Sequence, residues 1–364
     1  MTVPAGRREA LCALLDERGL DRLIVAGEHD LRWLTGFTGS SGLALVPAAG
    51  DALFLTDFRY IEQASEQLPA GWTVERTSLD LLGAGLGEAT SGQPLGSVGF
   101  DPSQVTVEQL AALSEALGGR AVLIEAKGLV AHLRQVKDED EVARIRAASQ
   151  LADAALLEVL ERGLAGRTER GVATDLEATL VALGTDGMSF PPIVASGAHG
   201  ALPHAEPRDE EIPRGVLVTI DWGAQLDGYC SDCTRTFATG AVGEREREVY
   251  ELVNAARAAG VDAATPGRSG PEVDAVARTV IEEAGFGEFF GHGLGHGVGL
   301  EVHEAPRLSP RGGPAPLEPG MVVTVEPGIY IPGELGVRIE DLIVIGDDEP
   351  SVLTTLDREL AEVG

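Results

Sequence analysis

The chain has 364 residues, of which 44% are apolar and 24% are charged. This composition excludes a disordered or collagen-like protein and predicts about two domains. Asp and Glu number 58 against 28 Lys and Arg, a formal charge of −30 that disfavours binding to nucleic acids or anionic membranes. Three cysteines in a chain of this length do not make a disulfide scaffold.

The first 125 residues alternate between helical and strand patterns. Residues 9–19 are predicted to form an amphipathic helix, because leucines recur there at helical spacing. Short apolar runs predict strands at residues 22–26, 43–46, 52–55 and 121–124. A second periodic run predicts another helix at residues 105–117. This alternation predicts an α/β layer domain over residues 1–125. Charged residues interrupt the first 20 residues, which therefore hold no signal-peptide core, and we expect a cytoplasmic protein.

A second domain is predicted at residues 138–364, after a linker at residues 126–137. Asp138 and Glu141 have the spacing of a capping box, which marks the start of a helix. Apolar residues between Val142 and Val159 continue at helical spacing.

Two segments of the second domain resemble each other and end in carboxylates. The run LVTID ends at Asp221 and the run VVTVE ends at Glu326; each precedes glycines and a second β-rich run, which carries Asp232 or Glu340. The repeat predicts two related hairpins in a pseudo-twofold β core. Four carboxylates between its halves would repel each other and take up protons unless divalent cations were bound. The alternative is four separate acids, each with a local partner.

Histidines are concentrated in a glycine-rich segment close to the second carboxylate run. The sequence GHGLGHGVGLEVH contains five glycines and places His292, His296 and His303 within twelve residues. This glycine content disfavours a regular helix and allows imidazoles to approach a metal or a substrate closely. A lone histidine is usually structural, but three beside two acidic hairpins favour a site.

The motifs together resemble a known family. Along the chain they are PH at His204, Asp221, DCTRT from Asp232, GHGVGLEVHE around His296, VEPGIY and GVRIED. In this order they resemble the pita-bread metallopeptidase superfamily, specifically its Xaa-Pro branch of prolidase and aminopeptidase P. The resemblance covers most of residues 138–364.

The N-terminal part is similar to the same branch. WLTGFTGSSG at residues 33–42 and TDFRYIEQA at residues 56–64 resemble the creatinase-like N-terminal domain of short bacterial members. Methionine aminopeptidases usually lack that domain. The resemblance implies an α/β (α+β) protein whose N-terminal domain mediates homodimerisation and forms a pocket rim, with the loop at residues 35–42 near a neighbouring subunit.

The resemblance also implies a dinuclear metal site. Five residues would hold two divalent ions: Asp221, Asp232, His296, Glu326 and Glu340. Asp232 and Glu340 would bridge both ions. Four carboxylates and one imidazole form a hard ligand set, which favours Mn²⁺ or Co²⁺, with Zn²⁺ as an alternative.

The implied reaction is hydrolysis of an N-terminal Xaa-Pro bond by a hydroxide that bridges the metals. His204, His303 and Glu326 would be catalytic, and His204, His292, His303 and Arg307 would bind substrate. Arg307 would take the proline carboxylate in a dipeptidase (prolidase). Alternatively it lies in a surface turn, and the enzyme acts on longer peptides as an aminopeptidase P.

Two other functions fit less of the sequence. A degenerate pita-bread domain acting as a binding module would have lost metal ligands, and a creatinase-like amidinohydrolase would lack the acidic set.

Cys230 and Cys233 have redox or zinc spacing, but they straddle Asp232 without a second pair. We expect Arg235 and Arg338 to balance carboxylate charge.

Overall fold

A computed structural model describes residues 6–364. The chain divides into two compact units, one ending at Arg134 and the other covering Gln135–Gly364. This boundary falls within the predicted linker, where residues 129–134 form a helix of the first unit.

The first unit is built on a mixed six-stranded sheet in the order β4-β3-β2-β1-β5-β6. Its strands are β1 (Arg22–Val25), β2 (Leu43–Pro47), β3 (Ala52–Thr56), β4 (Trp72–Arg76), β5 (Gly96–Phe100) and β6 (Ala121–Glu125). Its helices are α1 (Gly6–Arg18), α2 (Glu28–Thr35), α3 (Ile61–Gln67), a π-helical turn (Leu81–Gly85), α4 (Leu86–Ala89), α5 (Val107–Leu117) and α6 (Leu129–Arg134), with a short 3-10 turn at Gly118–Arg120. A core that includes Leu55, Leu86 and Leu113 lies between the sheet and the π-helical turn, α4 and α5.

The first helix of the second unit begins where the capping box predicts. Asp138 Oδ1 accepts a hydrogen bond from Glu141 N at 2.9 Å, and Glu141 Oε2 accepts one from Asp138 N at 3.1 Å. This cap satisfies backbone donors at the start of α7. The helices of the unit are α7 (Glu139–Leu160), α8 (Glu169–Ala182), α9 (Glu244–Ala263) and α10 (Gly270–Glu283), and 3-10 turns lie at Gly197–Ala201 and Gly287–Phe289.

Antiparallel sheets make up the rest of the second unit, in the orders β12-β9-β8, β11-β10-β7, β14-β13-β15-β18-β19 and β16-β17. The strands are β7 (Gly187–Met188), β8 (Ile193–Ser196), β9 (Leu217–Trp222), β10 (Ala224–Leu226), β11 (Tyr229–Cys230), β12 (Cys233–Ala238), β13 (Gly295–Gly297), β14 (Glu304–Leu308), β15 (Val322–Val325), β16 (Gly328–Ile331), β17 (Leu335–Arg338), β18 (Asp341–Val344) and β19 (Ser351–Val352).

The pairing repeats between the two halves of this unit. In the first half β9 pairs with β12 and β10 with β11; in the second β15 pairs with β18 and β16 with β17. One hydrophobic core packs α7 and α8 against the first set, and another packs α9 and α10 against the second. The predicted pseudo-twofold β core is confirmed.

None of the helices in the described part of the chain is long and apolar enough to cross a membrane.

Candidate active site

The two hairpins meet through their carboxylate-bearing ends. Asp221 on β9 lies opposite Thr234 on β12, the strand that begins directly after Asp232. Thr234 Oγ1 donates a hydrogen bond to Glu340 Oε2 at 2.7 Å, and Glu340 N donates one to Thr234 O at 3.0 Å. The acid of the second hairpin is therefore fixed to the backbone of the first.

His296 reaches the carboxylates from β13. Its Nδ1 donates to Gly297 O at 3.2 Å, which leaves Nε2 3.2 Å from Glu326 Oε1 and 3.6 Å from Asp232 Oδ2. A Cβ added at Gly295 would lie 1.9 Å from Thr324 O, so only glycine allows β13 to approach β15 this closely. The glycine-rich sequence thus serves to bring an imidazole to the acids.

The structure brings all five predicted ligands into overlapping groups whose donor atoms lie within 4.8 Å of one another. The groups are Asp221, Asp232 and Glu340; His296, Glu326 and Glu340; and Asp232, His296 and His303. Each group could hold a metal ion. His303, for which the sequence predicts catalytic and substrate-binding roles but no metal, thus also lies within reach of one group.

The electrostatics of the cluster fit divalent cations. Burial, together with repulsion from Glu340, raises the pKa of Asp232 well above its usual range. Burial and the neighbouring carboxylates do the same to the pKa of Glu340. Asp221 Oδ1 and Glu340 Oε1 are buried with no hydrogen-bond partner. Buried carboxylate oxygens of this kind require a cation or a proton, and divalent cations would supply that positive charge.

Arginine and histidine side chains offset part of the negative charge. Arg338 Nη2 lies 2.7 Å from Asp221 Oδ2, as expected for a charge-balancing residue. Burial raises the pKa of Glu326, but the hydrogen bond from His296 and its charge outweigh burial and lower it to about 2. Arg235 pairs instead with Asp341 at 2.9 Å and donates to the Glu340 carbonyl, so it supports the backbone beside the ligand.

A cavity of about 580 Å³ opens over the cluster and is large enough for a small peptide. The predicted substrate residues His204, His292, His303 and Arg307 all line it, as does the apolar wall of Phe190, Pro191 and Pro192.

Two of these side chains have environments that define their chemistry. Burial and the neighbouring His296 lower the pKa of His303 to about 4, so its imidazole is neutral at pH 7. Arg307 lies on β14 directly opposite His296 and not in a surface turn. Directly paired residues share one face of a sheet, which explains why Arg307 lines the cavity with His296.

Sequence reasoning assigned no role to Tyr330. Its hydroxyl accepts a hydrogen bond from Arg338 Nη1 at 2.8 Å and lies 3.0 Å from His292 Nε2. The signal was available, because Tyr330 closes the VEPGIY motif that follows Glu326.

Cys230 and Cys233 are buried free thiols, and burial raises the pKa of Cys233 well above its usual range. A thiol that stays protonated is neither a good nucleophile nor a metal ligand.

Known protein families match both parts of the chain. Metallopeptidase family M24 matches residues 143–347, and the Creatinase/Prolidase N-terminal domain matches residues 7–136. An uncharacterized peptidase of Bacillus subtilis is 41% identical over 97% of this chain and 98% of its own length. The Xaa-Pro dipeptidase of Pyrococcus furiosus is 36% identical over 97% of this chain and 99% of its own.

Solved structures of peptidases are similar to this chain over nearly its full length. An Xaa-Pro dipeptidase from Bacillus anthracis superposes with a TM-score of 0.93 at 40% identity, covering 98% of both chains. An X-Pro aminopeptidase from Thermotoga maritima gives 0.88 at 35% identity, covering 98% of this chain and 99% of that one. With its carboxylate and histidine cluster at the base of a peptide-sized cavity, this chain belongs to metallopeptidase family M24 and carries a creatinase/prolidase N-terminal domain.

Proposed function

We propose that the protein is an Xaa-Pro dipeptidase that hydrolyses the bond between an N-terminal residue and a C-terminal proline. The observation that carries the proposal is the buried cluster of four carboxylates and His296, with two unpartnered carboxylate oxygens, beneath a cavity lined by Arg307. Similarity to the Xaa-Pro dipeptidases of Bacillus anthracis and Pyrococcus furiosus supports the substrate class.

Two divalent ions would be held by Asp221, Asp232, His296, Glu326 and Glu340, and Asp232 and Glu340 would be ligands of both. When bound, divalent ions supply Lewis-acid activation of water and of the scissile carbonyl. The hard, oxygen-rich donor set favours Mn²⁺, with Co²⁺ or Zn²⁺ as alternatives.

The surrounding side chains handle protons and developing charge. His303, neutral at pH 7, donates a hydrogen bond to the carbonyl oxygen as it gains negative charge. Glu326 is ionised and accepts a proton that it passes to the prolyl nitrogen. The prolyl nitrogen must gain a proton to leave as an amine, and the attacking water, which gives up that proton, is its source.

Three further residues bind the substrate. His204 and His292 line the cavity and contact the bound peptide. Arg307 projects from β14 into the same cavity. A guanidinium there binds the free carboxylate of proline in a bidentate manner and selects dipeptides.

The second candidate function is Xaa-Pro aminopeptidase activity on longer peptides. It is favoured by the similarity to the X-Pro aminopeptidase of Thermotoga maritima, which is comparable in extent to that of the dipeptidases. A catalytically inactive binding module is disfavoured, because every position of the predicted ligand set holds a side chain that can bind a metal.

We also propose that the protein is a cytoplasmic homodimer. Three free thiols suit a reducing compartment. The edge strand β6 exposes Val122 and Ile124 on one face. An exposed apolar edge strand is a surface that a second copy can cover. Sedimentation equilibrium should give twice the mass of the chain; a monomer at micromolar concentration would contradict the dimer.

Cleavage of a matched pair, Ala-Pro and Ala-Pro-Ala, tests the proposal with Mn²⁺-loaded and chelated protein. We expect rapid turnover of Ala-Pro, little of Ala-Pro-Ala, and none of either after chelation. Preference for the tripeptide would establish the aminopeptidase. No cleavage of either by metal-loaded protein would overturn the Xaa-Pro assignment.

A further inference from the structure

A second group of hydrogen-bonded side chains lies outside the cavity lining and centres on the buried carboxylate of Glu169, the first residue of α8. The side chain of Glu169 is fully buried. Its Oε1 accepts hydrogen bonds from the backbone N and the Oγ of Ser196, both at 2.8 Å. Its Oε2 accepts from His199 Nδ1 at 2.9 Å and from Arg208 N and Nε at 3.1 and 3.2 Å. One carboxylate thus satisfies donors from three separate points of the chain.

These three partners enclose a loop. Ser196 ends β8 and His199 follows three residues later. Arg208 lies beside the start of α8, where its carbonyl accepts a hydrogen bond from Arg170 N at 2.9 Å. The segment between them, residues 197–207, is here called the His204 loop. It contributes residues 203–207 to the cavity lining. Glu169 therefore joins the two ends of the loop that carries His204.

His204 itself is not held by its side chain. It is exposed, and its imidazole makes no hydrogen bond to the part of the chain that the structure describes. The position of His204 at the cavity is therefore set by the backbone of the loop, and so by the contacts that hold this backbone in place.

The loop also lies tightly against the site strand β17. A Cβ added at Gly336 would lie only 1.7 Å from Gly200 O, so two backbones touch without side chains between them. Pro203 O accepts a hydrogen bond from Arg338 Nη1 at 3.2 Å. A shift of the loop ends would therefore move His204 relative to Arg338 and the carboxylate cluster.

The charge of Glu169 suits this task. Burial raises its pKa, but hydrogen bonds from Arg208 and Ser196 outweigh burial and lower it overall. The two oxygens of an ionised carboxylate accept all of these hydrogen bonds and a further one from Arg208 Nη2 at 3.3 Å, whereas an amide retains only one acceptor atom.

We infer that Glu169 is a positioning residue for catalysis: by closing the His204 loop it fixes the imidazole of His204 for binding the substrate. The inference rests on the proposed function, because it assigns Glu169 a role through a substrate-binding histidine.

The test is a double-mutant cycle between Glu169→Gln and His204→Ala, measured with Ala-Pro as substrate. Glu177→Gln is the matched control, since it makes the same change at an exposed position of the same helix. We expect Glu169→Gln to lower kcat/KM by about 10-fold or more, as small misplacements of a substrate-binding group do. It should keep the wild-type metal content, and Glu177→Gln should behave as wild type.

In the His204→Ala background, Glu169→Gln should cause no further loss. An equal loss in both backgrounds, or no loss in either, would overturn the inference while leaving Xaa-Pro cleavage by the wild type intact. Absence of cleavage by the wild type would instead overturn the proposed function. The two failures are therefore distinguishable.

A second variant covers the case in which Glu169→Gln fails to fold. Arg208→Gln loosens only one end of the loop, and the Arg208 side chain is 42% exposed, so the variant should fold. Hydrogen–deuterium exchange in peptides covering residues 197–207 should become faster than in Glu177→Gln, and kcat/KM should fall in parallel. Unchanged exchange and unchanged kinetics would contradict the inference.

Discussion

At the scale of single residues, the site trades stability for metal affinity. Asp232 and Glu340 have raised pKa values because they are buried near other carboxylates. An ionised carboxylate in that environment destabilises the metal-free protein at neutral pH. The same charge stabilises the fold once a cation is bound.

Asp232→Asn should therefore have opposite effects with and without metal. The amide removes one repelling charge, so in chelator the melting temperature should rise by about 2 °C or more. With Mn²⁺ present, the variant should bind fewer ions than the wild type and lose most of its hydrolytic activity. Asp209→Asn makes the same change at an exposed position and should alter neither property. A lower melting temperature of Asp232→Asn in chelator would contradict the account of the cluster.

Arg307 lines the cavity and is proposed to select substrates by length. Arg307→Met should raise KM for Ala-Pro by about 10-fold or more, since a charged hydrogen bond contributes roughly 1.5–3 kcal/mol. The amide of Ala-Pro, which lacks the carboxylate, should be cleaved equally by the variant and the wild type. Arg311→Met is the control, because Arg311 is exposed and does not line the cavity. Equal losses on both substrates would assign Arg307 a structural role.

Asp341 predicts acid sensitivity next to the site. Its buried carboxylate pairs with Arg235, Arg257 and Arg358 at 2.6–2.9 Å. Burial raises its pKa, but these arginines outweigh burial and hold it at about 2, below the ordinary value of 3.8.

A depressed pKa in the folded state means that the carboxylate stabilises the fold above pH 3.8 and loses this contribution as the pH falls toward 2. The wild type should lose about 2 kcal/mol more than Asp341→Asn between pH 4 and pH 2. Urea unfolding of the metal-free proteins at stepped pH values measures the difference. Asp348→Asn, at an exposed position, should keep the wild-type slope. Identical slopes for the wild type and Asp341→Asn would contradict the assigned pKa.

At the scale of elements, the start of α7 shows how a local signal fixes structure. Asp138→Ala removes the side-chain acceptor for Glu141 N and should cost about 1 kcal/mol of stability without changing kcat. Asp140→Ala lies in the same first turn, is exposed and should cost only a few tenths of that. Chemical denaturation of both variants distinguishes them; equal costs would show that the cap is not what begins the helix.

Elements with strong patterns could be predicted from sequence, and weakly patterned ones could not. The helix that begins after Asp138 and the strands at β1, β2 and β3 lie where apolar periodicity predicts them. β5 was missed because two of its five residues are glycine, which reads as a turn. The sequence does not predict β4, because this strand is largely exposed and carries charged residues, so apolar and polar residues do not alternate along it.

At the scale of the molecule, the site depends on pairing between distant parts of the chain. The repeat of LVTID and VVTVE predicted two related hairpins, and the structure confirms them. Spacing alone could not predict that Thr234 would bond to Glu340 across 106 residues, or that Tyr330 would join Arg338 to His292. Such contacts arise from the packing of one half of the second unit against the other.

We expect the two halves of the second unit to hold a pair of catalytic divalent ions together. Titration of metal-free protein with Mn²⁺, following bound metal by calorimetry and Ala-Pro cleavage in the same samples, tests it most directly. Two ions should bind per chain, and cleavage should appear only as they bind. Full cleavage by metal-free protein, or saturation without cleavage, would contradict it.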